Sequence, residues 1–241
     1  MLSLERVCAR RGKVEVLHDI TLSVPAGKTL AVVGESGAGK STLLACILGL
    51  LAPSSGTITW AGAPVRAARP ALVMQEPRSA FNPVRALRHS VSEPLIAQGK
   101  DVPRDRLERL CAGLELPFEL LSRRPGEVSI GQAQRAGILR ALIAAPPLIL
   151  FDEPLSALDA ATQKHTARLI TDLQAEEGFA ALIVTHDLGY ACAHSDDLAV
   201  LRAGRVEEVA APGDFVAGPR TDYGRKLQEA AFSLGALERV P

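Results

Sequence analysis

From Val14 to Val24 the chain reads VEVLHDITLSV, with Val14, Val16, Ile20, Leu22 and Val24 apolar and His18 as the break. Alternation with a period of two predicts a half-buried strand of an antiparallel sheet. Pro25-Ala26-Gly27 then signals a turn. Thr29 to Val33 carries a different pattern: a short, apolar, β-branched run without polar alternation, as expected of a buried parallel strand. It runs into GESGAGKST, after which a helix is predicted through about Leu50. Leu148 to Asp152 and Ala181 to Thr185 read as two further buried strands. Between them a helix is predicted from about Ala160 to Glu177, with Asp159 as N-cap and Gly178 as terminator. Strands alternating with helices predict an α/β core around a parallel sheet. The stretch from about Val84 to Arg124 has no strand-like run, and RDRLERLCAGLEL has helical spacing with charges on one face. It is expected to form a helical subdomain inserted into the core.

Composition narrows the class of protein. The 241 residues are 47% hydrophobic, ample for a buried core. Lys plus Arg equals Asp plus Glu, 27 each, so net charge supplies no pull toward nucleic acid or anionic lipid, and no nucleic-acid partner is expected. Cys8, Cys46, Cys111 and Cys192 form no CxxC pair and have no zinc spacing, which fits reduced thiols in the cytosol. No basic segment followed by an apolar one opens the chain, so no signal peptide is expected. The longest apolar run, Leu43 to Ala52, is about half the ~20 residues that span a bilayer. A soluble protein is expected, one still able to dock on a membrane protein.

Two motifs carry chemistry by themselves. Gly34-Glu35-Ser36-Gly37-Ala38-Gly39-Lys40-Ser41 matches G-x-x-x-x-G-K-[ST] at every fixed position, and Thr42 follows it. It lies between a predicted strand and a predicted helix, the context that a phosphate-binding loop requires. Gly37 and Gly39 let backbone N–H groups turn inward around phosphate oxygens. Lys40 brings a point charge to the β- and γ-phosphates, Ser41 a hydroxyl to Mg²⁺, and the new helix its positive dipole end. The second motif is Leu148 to Pro154, an apolar strand ending in Asp152 and Glu153. The first carboxylate is placed to reach Mg²⁺ and the second to polarise a water attacking the γ-phosphate.

With these motifs, the chain resembles the ATP-binding subunit of an ABC transporter along nearly its whole length. Gln75 in ALVMQEP fits the glutamine that follows the next core strand in that family. Val128-Ser129-Ile130-Gly131-Gln132 fits four of five positions of its L-S-G-G-Q signature, counting Val for Leu. Ser156 to Asp159 is its S-A-L-D loop, and His186 in VTHD its switch histidine. The resemblance implies an α/β P-loop NTPase of the ABC-ATPase fold: a parallel core sheet, an N-terminal antiparallel β-subdomain and an inserted α-helical subdomain. One ATPase domain over 1–241 is expected, with 84–142 as the helical and signature part and 1–83 and 143–241 as the core. The ligands implied are ATP and Mg²⁺. Two ATPase subunits, identical or homologous, would pack head to tail, each ATP lying on one chain's P-loop and under the other's signature. Ser129 and the Gly131 amide would contact the partner's γ-phosphate, with Gln132 and Asp159 beside them. Glu153 would activate water and His186 would hold water and γ-phosphate in line. Gln75 would contact Mg²⁺ and sense the membrane subunit.

The wider context MQEPRSAFNP and the tail PGDFVAGPRTDYGRKLQEA resemble the peptide/nickel importer group, although Thr221-Asp222-Tyr223-Gly224 keeps only the tyrosine of that group's tail element. Import of a small solute follows, with permease subunits and, indirectly, a solute-binding protein as partners. The location implied is cytoplasmic, on the inner face of the cell membrane. Three other readings compete: another P-loop enzyme such as a kinase or GTPase, a soluble ABC ATPase acting on DNA or ribosomes, and an ABC-type module of a phosphonate-degrading complex. The signature, D-loop and switch histidine in fixed order disfavour the first. A single unit without heptads disfavours the second. Two departures from the family pattern stand out. Arg11, not an aromatic residue, precedes Gly12 where the adenine is usually stacked, and Ile130 replaces a signature glycine. A β-branched residue at 130 fits only if that position needs no positive φ.

Overall fold

The structure is a computed structural model and describes residues 1–237; the last four positions of the expected 1–241 domain lie outside the described residues. Strands β1 (Leu2–Arg11), β2 (Val14–Val24) and β3 (Thr29–Val33) lead into helix α1 (Lys40–Ile47). Then come β4 (Ser55–Trp60), β5 (Ala63–Pro64), β6 (Ala71–Val73), α2 (Leu87–Ile96), α3 (Arg104–Gly113) and α4 (Ile130–Leu142). The chain continues through β7 (Leu148–Asp152), α5 (Ala160–Glu177), β8 (Ala180–Thr185) and α6 (Leu188–His194). It closes with β9 (Asp197–Arg202), β10 (Arg205–Ala210), α7 (Pro212–Ala217) and α8 (Asp222–Ser233).

Two sheets result. The larger has the order β10-β9-β3-β8-β7-β6; its central strands are parallel, and β10 closes one edge antiparallel. The smaller, β2-β1-β4-β5, is antiparallel throughout. Each central strand of the large sheet is buried on both faces, which explains its unbroken apolar run. Leu30, Val32, Leu148, Leu150, Leu182 and Val184 share a core with α1 and the antiparallel sheet. Their neighbours Ile149, Phe151, Ala181 and Ile183 point the other way, into a core shared with Leu87, Leu110 and Leu139 of α2, α3 and α4. The helical stretch therefore packs on one face of the sheet and the antiparallel strands on the other.

The predicted parallel strands and the Asp159–Gly178 helix form as expected. The Asp159 carboxylate accepts the Thr162 N–H at 3.1 Å, and Gly178 ends α5 in the left-handed region at φ 70°. The alternation in β2 is a correction. Ile20, Leu22 and Val24 are buried, but Val14 is 65% exposed and Leu17, not Val16, is fully buried. The ladder with β1 slips between Val7↔Ile20 and Ala9↔Leu17, at Asp19 with φ 56°. A bulge adds one residue and inverts the faces beyond it. Arg6, at φ 48°, breaks β1 in the same way, which is why the burial of Leu2, Leu4, Val7 and Ala9 has no single period in the sequence. Among the described residues no helix is long and apolar enough to cross a membrane.

Candidate functional site

The loop between β3 and α1 is held from behind. A Cβ on Gly34 would lie 2.1 Å from the Leu201 carbonyl oxygen of β9, so the loop approaches that strand as only glycine allows. Gly204, in the β9–β10 turn, donates its N–H to the Ala38 carbonyl at 2.8 Å. Gly34 and Ala38 are buried, while Glu35, Ser36 and Gly37 face solvent. Gly37 (φ 84°) and Gly39 (φ 109°) occupy the positive-φ region that an L side chain disfavours. Lys40 folds back, its ammonium donating to the Gly34 carbonyl at 2.6 Å and to the Glu35 carbonyl at 3.0 Å.

This loop forms one wall of a cleft of about 430 Å³ lined by Ser36, Gly37, Gly39, Lys40, Ser41 and Thr42. Across it stand Gln75 after β6, Asp152 at the end of β7 and Glu153 just beyond it, and His186 after β8, with Arg11 and Val16 at its edge. Parallel strands bring their carboxyl ends to one rim, so residues far apart in sequence converge there.

Charge is concentrated in a half-buried place. Burial lowers the Lys40 ammonium from its ordinary range, opposed by Glu153 and Asp152. Burial, and next the charge of Glu153, raise Asp152, opposed by Lys40. Glu153 is 8% exposed and sits at φ 49°, with its own N–H donated to the Val184 carbonyl at 2.9 Å. Its carboxylate accepts three hydrogen bonds: from the His186 N–H (3.0 Å), from His186 Nδ1 (2.7 Å) and from the Thr185 hydroxyl (3.1 Å). A carboxylate only accepts, so the proton in the ring contact sits on Nδ1. His186 is thereby held with its other nitrogen, Nε2, left unengaged by Glu153.

Ser129, Gly131, Gln132 and Asp159 do not line this cleft. Ser129 caps α4: its hydroxyl accepts the Gln132 N–H at 3.1 Å, and the Gln132 side chain accepts the Ser129 N–H at 2.8 Å. Ile130 is in the first turn of α4 in helical conformation, 54% exposed. The substituted position therefore needs no positive φ. Gly131 lies beside the D-loop; a Cβ there would be 3.4 Å from Leu158 and 3.5 Å from the Ala157 carbonyl. Signature and D-loop thus form a second cluster on this chain. Among the described residues lining the cleft none is Tyr, Phe or Trp; Arg11 donates from Nε to the Thr42 hydroxyl at 3.0 Å.

Thr185 was legible only as part of the VTHD motif. The support from Leu201 and Gly204 had no local signal, since it comes from strands paired across the sheet.

The donor set is oxygen-rich and suits a hard cation: the Ser41 hydroxyl, the Gln75 amide and the Asp152 carboxylate share the cleft. No group of three or more His, Cys, Asp or Glu is placed to hold a metal among the described residues, so such a cation would rely also on phosphate oxygens.

A parallel sheet, a glycine loop with its lysine, and an acid–histidine pair in one cleft define a P-loop nucleoside triphosphatase. The ABC transporter family model matches residues 17–156. The chain is 39% identical to the nickel import ATP-binding protein NikD of Brucella abortus biovar 1 (strain 9-941), over 94% of this chain and 92% of that one. It is 34% identical to a putative peptide import ATP-binding protein, BOV_A0347, of Brucella ovis (strain ATCC 25840 / 63/290 / NCTC 10512), over 92% of this chain and 74% of that one. It superposes with a TM-score of 0.79 and 28% identity on the dimeric post-hydrolysis state of the cassette MJ0796 bound to ADP and Pi, covering 88% of this chain and 99% of that one. The chain belongs to the ABC transporter family and is one of its ATPases.

Proposed function

We propose that this chain is the ATP-binding and ATP-hydrolysing subunit that energises a membrane importer of small solutes, of the nickel or peptide type. The observation that carries this reading is the single cleft in which Lys40, Ser41, Gln75, Asp152, Glu153 and His186 meet. The names of the relatives at 39% and 34% identity support import and its solute class. The dimeric cassette among the similar structures supports a paired arrangement.

In this reading the amides of Ser36 to Thr42 and the Lys40 ammonium cradle the triphosphate. Lys40 exchanges its two loop carbonyls for phosphate oxygens. Ser41, Gln75 and Asp152 would hold Mg²⁺, which would neutralise charge building on the β- and γ-oxygens. Glu153 takes the proton of the attacking water. It needs no rearrangement, because His186 and Thr185 already fix its carboxylate. His186, held through Nδ1, turns Nε2 into the cleft: in the neutral ring that nitrogen accepts from the attacking water, and with a second ring proton it donates to the γ-phosphate, keeping water and phosphate in line. Ser129, Gly131 and Gln132, with Asp159, serve the nucleotide on the partner's P-loop in a head-to-tail dimer. Residues 84–142 form the arm that carries the signature, and Gln75 would link it to the metal. The subunit works from the cytoplasmic side, seated on permease subunits that receive solute from a binding protein.

Co-purification with the products of neighbouring genes tests the whole reading. A complex with permease subunits whose ATP hydrolysis rises with nickel, a nickel chelate or a peptide is the expected result. A subunit that hydrolyses ATP but associates with carbon–phosphorus lyase components would overturn the import assignment. The Lys40→Ala variant is expected to lose nucleotide affinity, and unchanged affinity would contradict the P-loop role.

A further inference from the structure

The C-terminal helix reaches the nucleotide loop. Its first turn is fixed to the edge of the large sheet by Glu208 of β10, a carboxylate 7% exposed. That carboxylate accepts the Arg220 N–H and the Thr221 hydroxyl, both at 2.7 Å. Thr221 in turn caps α8 by accepting the Gly224 N–H at 3.0 Å. Gly224 has no room for a side chain, since a Cβ would lie 1.9 Å from Glu208 Oε1. Beyond the far end of α8 the Ala236 carbonyl closes on Gly189 of α6, where an added Cβ would be 2.2 Å away. The helix is thus clamped at both ends.

Between Thr221 and Gly224 stands Tyr223, 5% exposed. The Arg202 guanidinium lies over its ring, 4.7 Å from the centroid. A buried phenol needs a partner for its oxygen. The partner is the P-loop: the Glu35 N–H donates to the Tyr223 hydroxyl at 3.3 Å. The carbonyl of the same residue accepts the Lys40 ammonium at 3.0 Å. Glu35 therefore connects Tyr223 to Lys40, and it follows Gly34, which is pressed against Leu201. Burial raises the phenol above its ordinary range, opposed by the Glu35 N–H and helped by the Glu35 carboxylate, so the hydroxyl stays neutral.

We propose that Tyr223 is a positioning residue for the P-loop: its hydroxyl holds the Glu35 peptide and so sets where Lys40 and the loop amides meet the triphosphate. The proposal rests on the ATP-binding reading of the cleft. It gives the C-terminal helix a part in nucleotide affinity although α8 contributes no residue to the cleft.

Tyr223→Phe tests it, because it removes only the hydroxyl and keeps the ring under Arg202. The purified protein is titrated with a fluorescent ATP analogue and Mg²⁺, then with ATP in competition. One neutral hydrogen bond predicts binding about three- to tenfold weaker. Hydrolysis at saturating ATP should stay within about twofold, a shift in KM and not in kcat. Amide hydrogen exchange of the peptide containing Glu35 should quicken, while the melting temperature stays near wild type. Wild-type affinity with unchanged Glu35 exchange would overturn the proposal, as would weaker binding that merely tracks a fall in melting temperature. Lys40→Ala separates the two levels. If Lys40→Ala binds ATP like wild type, the P-loop reading itself fails. If it does not bind and Tyr223→Phe matches wild type, only the role of Tyr223 fails.

Discussion

Glu153 has two separable duties, and a pair of substitutions divides them. In the proposed hydrolysis its carboxylate is the base; in the structure it is the acceptor that ties His186 and Thr185 to the end of β7. Glutamine keeps the shape and one carbonyl oxygen, which retains both His186 bonds. Its –NH₂ then faces the Thr185 hydroxyl, which already accepts the Asp187 N–H at 3.1 Å and must turn its own proton aside. Charge-assisted bonds are worth about 1.5–3 kcal/mol and neutral ones about 0.5–1.5, so Glu153→Gln forfeits about 1–2 kcal/mol. Relief of the repulsion with Asp152 works against that loss. The expected change in melting temperature is under about 4 °C. Alanine leaves the Thr185 hydroxyl and the His186 N–H without their acceptor. At about 1–3 kcal/mol for each of these two unmet groups, Glu153→Ala costs about 2–6 kcal/mol, or roughly 4–24 °C. Both variants lose the base, so phosphate release at saturating Mg-ATP should fall about 10²-fold or more. Glu153→Gln should in addition accumulate an ATP-bound closed dimer, visible by size-exclusion chromatography. Hydrolysis at the wild-type rate in Glu153→Gln would remove Glu153 as the water-polarising group. Equal melting temperatures for the two variants would refute its role as a scaffold.

Three further predictions follow from the same geometry. Ile130→Gly restores a small residue at an exposed position in the first turn of α4; it should raise hydrolysis, at a stability cost of at most about 1 kcal/mol, and an unchanged rate would show the isoleucine to be neutral. Asp152 is held above its unfolded value of 3.8, so folding favours its protonated form and stability is lost as pH rises from that value through the raised one. Asp152→Asn lacks that penalty: its melting temperature should exceed wild type at neutral pH by a margin that shrinks toward about pH 4, and a margin independent of pH would refute the assignment. With Arg11 at the edge of the cleft and no Tyr, Phe or Trp among its described lining residues, ATP and GTP should compete within about tenfold, a difference of about 1.4 kcal/mol; a strong preference for ATP would show that the base is read by other groups.

The parts of the site legible in the sequence are those set by local rules. The glycines and Lys40 of the P-loop lie within a few residues of one another between a buried strand and a helix, and backbone sterics dictate such a loop. Ser129 and Gln132 form a capping box at a spacing of three, a purely local geometry that also places Ile130 in a helical turn. Asp159 and Gly178 bound α5 for the same reason. The buried strands β3, β7 and β8 announced themselves because both faces are covered and every position but Thr29, Asp152 and Thr185 at their ends is apolar.

Other features depend on residues distant in the chain. The face of β2 turned on a bulge opposite β1, which no period in Val14–Val24 encodes. The ring contact between Glu153 and His186 joins residues 33 apart, each just past the end of one of two adjacent strands. The contact between Glu35 and Tyr223 joins residues 188 apart. The sequence by itself determined which residue types could bind phosphate and where helices and buried strands begin, because torsional preference and burial act over a few residues. Only the tertiary structure decided that Thr185 and His186 share one carboxylate, that Arg11 meets Thr42, and that the C-terminal helix touches the P-loop. Those contacts arise when strand order and helix docking bring separate segments within hydrogen-bonding distance.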